Sequence, residues 1–162
     1  MIHDVYLKPL LEEDIPMLLQ WMEQEDILQF FGDPLVWISE IRQNLINPEW
    51  IFHFLAITTR PIGFCQFYDT KKAPQGLWSH EEEPTAGIDF FLAEEEFRGQ
   101  GLGKAMLLEL LDFIHKTNNY EYVLADVDEH NNRAEAFLCS IGFKDYKKGL
   151  LRFHLKDLKH GV

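Results

Sequence analysis

Arg98-Gly99-Gln100-Gly101-Leu102-Gly103-Lys104 joins an apolar, β-prone run to an amphipathic helical pattern, and its reading decides the fold. Upstream, Gly87-Ile88-Asp89-Phe90-Phe91-Leu92-Ala93 has the length and composition of a half-buried strand. Downstream, Leu102, Ala105, Met106, Leu108, Leu111, Phe113 and Ile114 form a helical apolar face, with charge on the other side. Glycines at alternate positions remove side chains from the turn. Backbone N–H groups can then converge on an anion at the helix N-terminus, where the helix dipole favours negative charge. The stretch therefore predicts a phosphate-bearing ligand.

Three phosphate-site patterns compete for these glycines. A Walker A loop needs Lys followed by Ser or Thr, and Lys104 is followed by Ala105. A dinucleotide fingerprint needs Gly-x-Gly-x-x-Gly opening a βαβ unit, a spacing that Gly99, Gly101 and Gly103 do not give. The third pattern, Arg/Gln-x-x-Gly-x-Gly/Ala after a strand, is met by Arg98, Gly101 and Gly103. In carrying it the chain resembles the GNAT acetyltransferases, whose loop of this form holds the pyrophosphate of acyl-CoA. The bland alternative is a glycine-softened turn into a surface helix.

The bulk properties are compatible with that resemblance. With 162 residues, 46% of them hydrophobic, the chain suits a single domain spanning residues 1–162. No stretch approaches the ~18 uninterrupted apolar residues of a membrane span, and Met1-Ile2-His3-Asp4 does not open a signal peptide. The expected location is the cytoplasm, without a membrane partner. Cys65 and Cys139 lack metal-ligand spacing and read as buried free thiols, and the scattered histidines, His80 included, suggest no metal site. The net charge of −12 disfavours a nucleic-acid partner. It suits a cationic small molecule steered into an acidic cleft, and equally well plain solubility.

Along the chain, Val5 to Lys8 reads as a strand, and Leu11-Glu12-Glu13-Asp14 starts a helix expected to run to about Gln24. Asp33-Pro34 opens a second helix, limited by Pro48. Phe52–Thr58 and Ile62–Tyr68 form a hairpin around Thr59-Arg60-Pro61, and Asp69–Pro84 is a loop. After the glycine loop and its helix come a strand over Tyr122–Val127 and a helix from Asn131 to Ile141, which Gly142 ends. A hairpin of Phe143–Tyr146 and Leu150–Leu155 closes the chain. Strands and helices in this order give an α+β domain built on one mixed sheet.

The resemblance extends further. Asn131-Asn132-Arg133-Ala134 followed by Gly142-Phe143 is similar to the second GNAT signature. Arg60-Pro61-Ile62-Gly63-Phe64-Cys65-Gln66, Trp78 before an acidic loop, Gly87-Ile88-Asp89, Gly101-Leu102-Gly103 and Asp126 look like the aminoglycoside 6'-N-acetyltransferase branch in order and spacing. Phe30-Phe31-Gly32 resembles that branch's aromatic substrate wall. The likeness is strongest from Arg60 to Phe143. It implies the GNAT fold, a mixed central sheet with flanking helices in which the fourth strand splays from the fifth. It also implies acetyl-CoA as co-substrate, no metal, and a small cationic amine as acceptor to a monomer or homodimer.

The resemblance further implies roles for individual residues. The backbone amides of Gly99, Gln100, Gly101, Gly103 and Lys104 would hold the pyrophosphate, with Arg98 adding positive charge. Phe91, Leu92 and Ala93 would lie against the pantetheine arm, with Asn131 opposite. Asp89 and Asp126, one on each splayed strand, are candidates to take the proton that a largely protonated amine must lose. An outward-facing strand residue and a turn cap are the respective structural alternatives. Phe30, Phe31, Tyr68 and Trp78 would supply flat walls, with Glu25, Asp33, Asp69 and Glu81 to Glu83 supplying negative charge. One position departs from the family pattern. Where many GNAT enzymes carry a tyrosine to protonate the leaving thiolate, this chain has Leu138. Tyr68 or water is a possible substitute. An acceptor of another kind (polyamine, lysine, protein N-terminus, siderophore precursor) or a non-catalytic acyl-CoA-binding module is the alternative function.

Overall fold

A polar row crosses the centre of the sheet: His53, Gln66 and Asp89 are register partners on three successive strands. The computed structural model describes residues 4–48, 50–73 and 81–159; Trp78 and His80 lie outside the described residues. The strands are β1 (Tyr6–Pro9), β2 (Ile51–Ile57), β3 (Pro61–Asp69), β4 (Thr85–Leu92), β5 (Tyr122–Asp126), β6 (Lys144–Lys147) and β7 (Leu150–His154). They form one seven-stranded sheet in the order β1-β2-β3-β4-β5-β7-β6. Every neighbouring pair is antiparallel except β4 and β5, which run parallel.

The helices are α1 (Ile15–Met22), α2 (Glu25–Phe31), α3 (Pro34–Ile46), α4 (Leu102–Lys116) and α5 (Asn132–Ile141). Helix α4 is the crossover that a parallel strand pair requires. It buries Leu102, Met106, Leu107, Leu110, Leu111 and Ile114. Its Phe113 ring packs on Phe54 and Phe67, on one face of the sheet. Trp21 of α1 and Phe31 of α2 meet Phe91 edge-on from the other face. Helix starts follow the sequence signals at two places. Asp33 accepts from the Leu35 amide at 2.9 Å with Pro34 behind it, and Asn131 accepts from the Ala134 amide at 3.1 Å.

Two expectations need correction. The single helix expected from Leu11 to about Gln24 is a 3-10 turn over Glu12–Asp14, then α1, then a break before the separate α2. Gln24 is extended (φ −65°, ψ 137°), and its Nε2 donates to the Ala93 carbonyl at 2.8 Å. This long-range bond accompanies the break, at a point where no glycine or proline stands. Cys65 is buried as expected, but Cys139 is exposed on α5.

The splay of β4 from β5 is visible in the register. Pairing runs from Thr85–Tyr122 to Ile88–Ala125 and stops, although β4 continues to Leu92. The Thr70 amide donates to Thr85 O and the Ala93 amide to Ile62 O, so odd-numbered residues of β4 turn their backbone groups toward β3. The even-numbered Phe90 and Leu92 therefore turn theirs into the gap that β5 leaves.

Candidate active site

Two adjoining clefts, both lined by Phe90, border this gap. The first, about 560 Å³, is lined by the glycine loop (Arg98, Gly99, Gly101), the start of α4 (Gly103, Lys104, Met106), Phe90 to Leu92 of β4, and Arg133 and Phe137 of α5. Gly101 has φ 81° and Gly99 φ 76°, left-handed conformations that a residue with a Cβ adopts only under strain. The turn lets α4 start abruptly. Its first intrahelical bond is from the Ala105 amide to Gly101 O, leaving the amides of Leu102, Gly103 and Lys104 ahead of the ladder. With the guanidinium and ammonium groups nearby, this end of the cleft suits an anion.

The second cleft, about 310 Å³, holds three carboxylates, Asp89, Asp126 and Asp128, and no Lys, Arg or His among the described residues that line it. Its walls are Phe30 and Phe31 of α2, Trp37 of α3, Ile88 and Phe90 of β4, and Leu138 of α5. The Trp37 indole donates to Phe31 O at 2.6 Å and its ring lies 5.3 Å from the Phe31 ring, which fixes α2 against α3. The clefts share Phe30, Phe31, Phe90, Asn131 and Ala134.

Electrostatics distinguish the acids. Burial pushes the Asp89 carboxyl up to about 6, opposed by the Gln66 Nε2–H that donates to its Oδ2 at 2.8 Å, and reinforced by Asp126 and Glu40. Asp126, more exposed, is raised by partial burial and by Asp128. Asp89 thus stands with a pKa near the pH at which a general base works best. Asp89 and Asp126 both line this cleft, one from β4 and one from the end of β5.

The other expected residues distribute unevenly. Phe91 and Leu92 line the first cleft, Leu92 with its backbone toward the gap. Ala93 does not line it; its amide is engaged by Ile62 and its carbonyl by Gln24. Arg98 lines it but is ion-paired with Asp26 of α2. The Gln100 side chain instead donates to Glu96 O.

Tyr68 is buried away from the lining of both clefts, its ring laid over Gly87, where a Cβ would come within 2.3 Å of it. Burial, Asp89 and Asp126 all push its phenol further up, so it stays protonated at neutral pH. Among the expected acidic residues, Asp33 caps α3, Asp69 accepts from the Lys71 amide, and Glu81 is buried against Lys147 and Tyr146. Sequence reading missed Trp37 and Asp128 in the carboxylate cleft, and Arg133 and Phe137 in the other. Only Arg133 carried a signal, since it lies inside the Asn131–Ala134 motif.

Over residues 10 to 150 the sequence matches the family described as the acetyltransferase (GNAT) domain. The chain belongs to the GNAT acetyltransferases. Aminoglycoside N(6')-acetyltransferase type 1 from Klebsiella pneumoniae is 24% identical over 148 residues, covering 86% of this chain and 74% of that protein. Among solved structures, AAC(6')-Ib with ribostamycin and coenzyme A superposes with a TM-score of 0.86 at 21% identity, covering 98% of each chain. The aminoglycoside N(6')-acetyltransferase of Legionella pneumophila gives 0.77 at 19%, covering 98% of this chain and 96% of that one. These likenesses establish the GNAT fold, including a central mixed sheet of seven strands.

Proposed function

We propose that this GNAT acetyltransferase moves an acetyl group from acetyl-CoA to a primary amine of a small polycation, with the 6'-amine of an aminoglycoside as acceptor. The observation that carries the reading is the cleft with three carboxylates and no cationic side chain among its described lining residues, joined through shared walls to a cleft where Arg98, Lys104 and Arg133 outnumber the single acid Asp26. The names of the relatives point to the same acceptor class.

The residues present fit acetyl-CoA. The amides at the start of α4, with Lys104 and Arg133, would hold its phosphates, and the gap-facing backbone of Phe90 and Leu92 would meet the pantetheine arm. Bound there, acetyl-CoA supplies a thioester as the acetyl donor. Asp126 and Asp128 draw the ammonium groups of the acceptor into the cleft, and Phe30, Phe31 and Trp37 give its rings flat surfaces. Asp89 takes the proton the attacking amine must lose. Leu138, buried at the cleft wall, offers no proton to the leaving thiolate. A thiol of ordinary pKa ~8.5 leaves without a dedicated acid, so water can serve.

Thiol release with acetyl-CoA and kanamycin or tobramycin tests the reading, and turnover is the expected result. Turnover on a polyamine or lysine alone would replace the acceptor. Acetyl-CoA binding without turnover on any amine would favour the acyl-CoA-binding module, the reading that Leu138 keeps in view.

A further inference from the structure

Asp89 is the end of a buried hydrogen-bonded chain that starts two strands away. The Gln66 Nε2–H donates to Asp89 Oδ2 at 2.8 Å, and Gln66 Oε1 lies 2.7 Å from His53 Nδ1. His53 and Gln66 are 6% and 2% exposed, so neither is an incidental surface contact. An amide carbonyl only accepts, so His53 Nδ1 must carry the proton. Burial holds the imidazole neutral, its pKa lowered to about 4 despite the bond to Gln66, which leaves Nε2 as the lone-pair nitrogen. That atom has no hydrogen-bond partner among the described residues, and the ring is held instead by stacking on Phe64.

This fixes the direction of every bond. Gln66 can turn its NH2 to Asp89 only while its carbonyl faces a donor, and His53 is that donor. Were the amide reversed, its oxygen would face the carboxylate. Among the described residues, the charged and titratable groups reaching Asp89 from other elements are Asp126 of β5, Glu40 of α3 and the Tyr68 phenol of β3, and none of these offers a positive charge. The Gln66 N–H is thus the contact that favours the ionised acid against burial.

We propose that His53 and Gln66 are positioning residues, the imidazole orienting the Gln66 amide so that it keeps Asp89 ionised and correctly aimed. This rests on the reading of Asp89 as the base, deepens it, and can be tested apart from it. A hydrogen bond to a charged group is strong enough that losing it should raise the carboxyl pKa by about one unit.

The test is a carboxyl-carbon NMR titration with labelled aspartate, the Asp89 signal assigned by its loss in Asp89→Asn. In the unaltered protein the signal should titrate near pH 6, and in His53→Leu about one unit higher. His53→Asn, whose amide N–H can replace Nδ1–H, should restore it. An unchanged titration in His53→Leu overturns the proposal. Imidazole nitrogen NMR of the unaltered protein needs no variant to fold: protonated Nδ1 and bare Nε2 are expected, and the opposite tautomer overturns the relay. The pH profile of kcat/KM separates the two readings. A carboxyl that shifts while the acid limb stays put leaves the relay intact and removes Asp89 as base. Activity lost equally at all pH values, with neither carboxyl nor limb moved, marks His53 as merely structural and overturns the proposal.

Discussion

The two clefts meet along Phe30, Phe31, Phe90, Asn131 and Ala134, yet one is lined by Arg98, Lys104 and Arg133 and the other by Asp89, Asp126 and Asp128. They are also made differently. The cationic cleft depends on main-chain geometry: left-handed glycines, the unladdered amides of α4 and the gap beside β4. The acidic cleft depends on side chains gathered from α2, α3, β4, β5 and α5. A backbone site tolerates almost any side chain except at its glycines. A side-chain site is rewritten by single substitutions.

That contrast can be broken most sharply at Asp89. Asp89→Asn should lower kcat by about 10²–10⁴-fold while leaving the Kd for acetyl-CoA nearly unchanged, as read by steady-state kinetics beside calorimetry. The same change should raise thermal stability. The folded-state pKa of Asp89 lies above its ordinary value, so its contribution to stability is present at low pH and lost as pH rises through about 6. Replacing the ionised acid with the neutral amide removes a cost on the order of 3 kcal/mol at neutral pH, measurable by denaturant titration. By the same sign, kcat/KM should climb with pH up to about 6 and then flatten, as the base must be ionised to act.

A backbone change should do the reverse. Gly101→Val places a β-branched residue at φ 81°, and the Kd for acetyl-CoA should rise tenfold or so with the acceptor KM little altered. Asp126→Asn with Asp128→Asn should raise the acceptor KM roughly tenfold at low salt and by less at high salt, because screening already weakens the attraction. The smallest effect is expected at Arg98. Asp26 already neutralises it, so Arg98→Ala should weaken acetyl-CoA binding only about threefold.

Legibility in the sequence followed the same division. Gly99, Gly101 and Gly103 disclosed the first cleft, because the close approach of backbone to a ligand needs glycine at fixed spacing. Asp89 and Asp126 came through the family resemblance. Trp37 and Asp128 gave no sign, since an aromatic in an amphipathic helix and an acid in a turn are ordinary in any fold. The α1–α2 break was hidden for a related reason: the bond from Gln24 to Ala93 spans 69 residues and leaves no local mark. His53 and Gln66 read as a strand interior, and only the register of β2, β3 and β4 brings them into line with Asp89.

The parallel pairing that ends at Ile88 leaves the sheet one strand short beside Phe90 and Leu92. A ligand whose arm carries amide groups, laid in that opening, would serve as a strand the chain does not encode. Part of the secondary structure would then be supplied by a metabolite, and the rigidity of β4 would follow its concentration. Amide hydrogen exchange at Phe90 and Leu92 should slow as coenzyme A is added, by about a hundredfold at a hundred times its Kd, while exchange in the fully paired β3 strand changes far less.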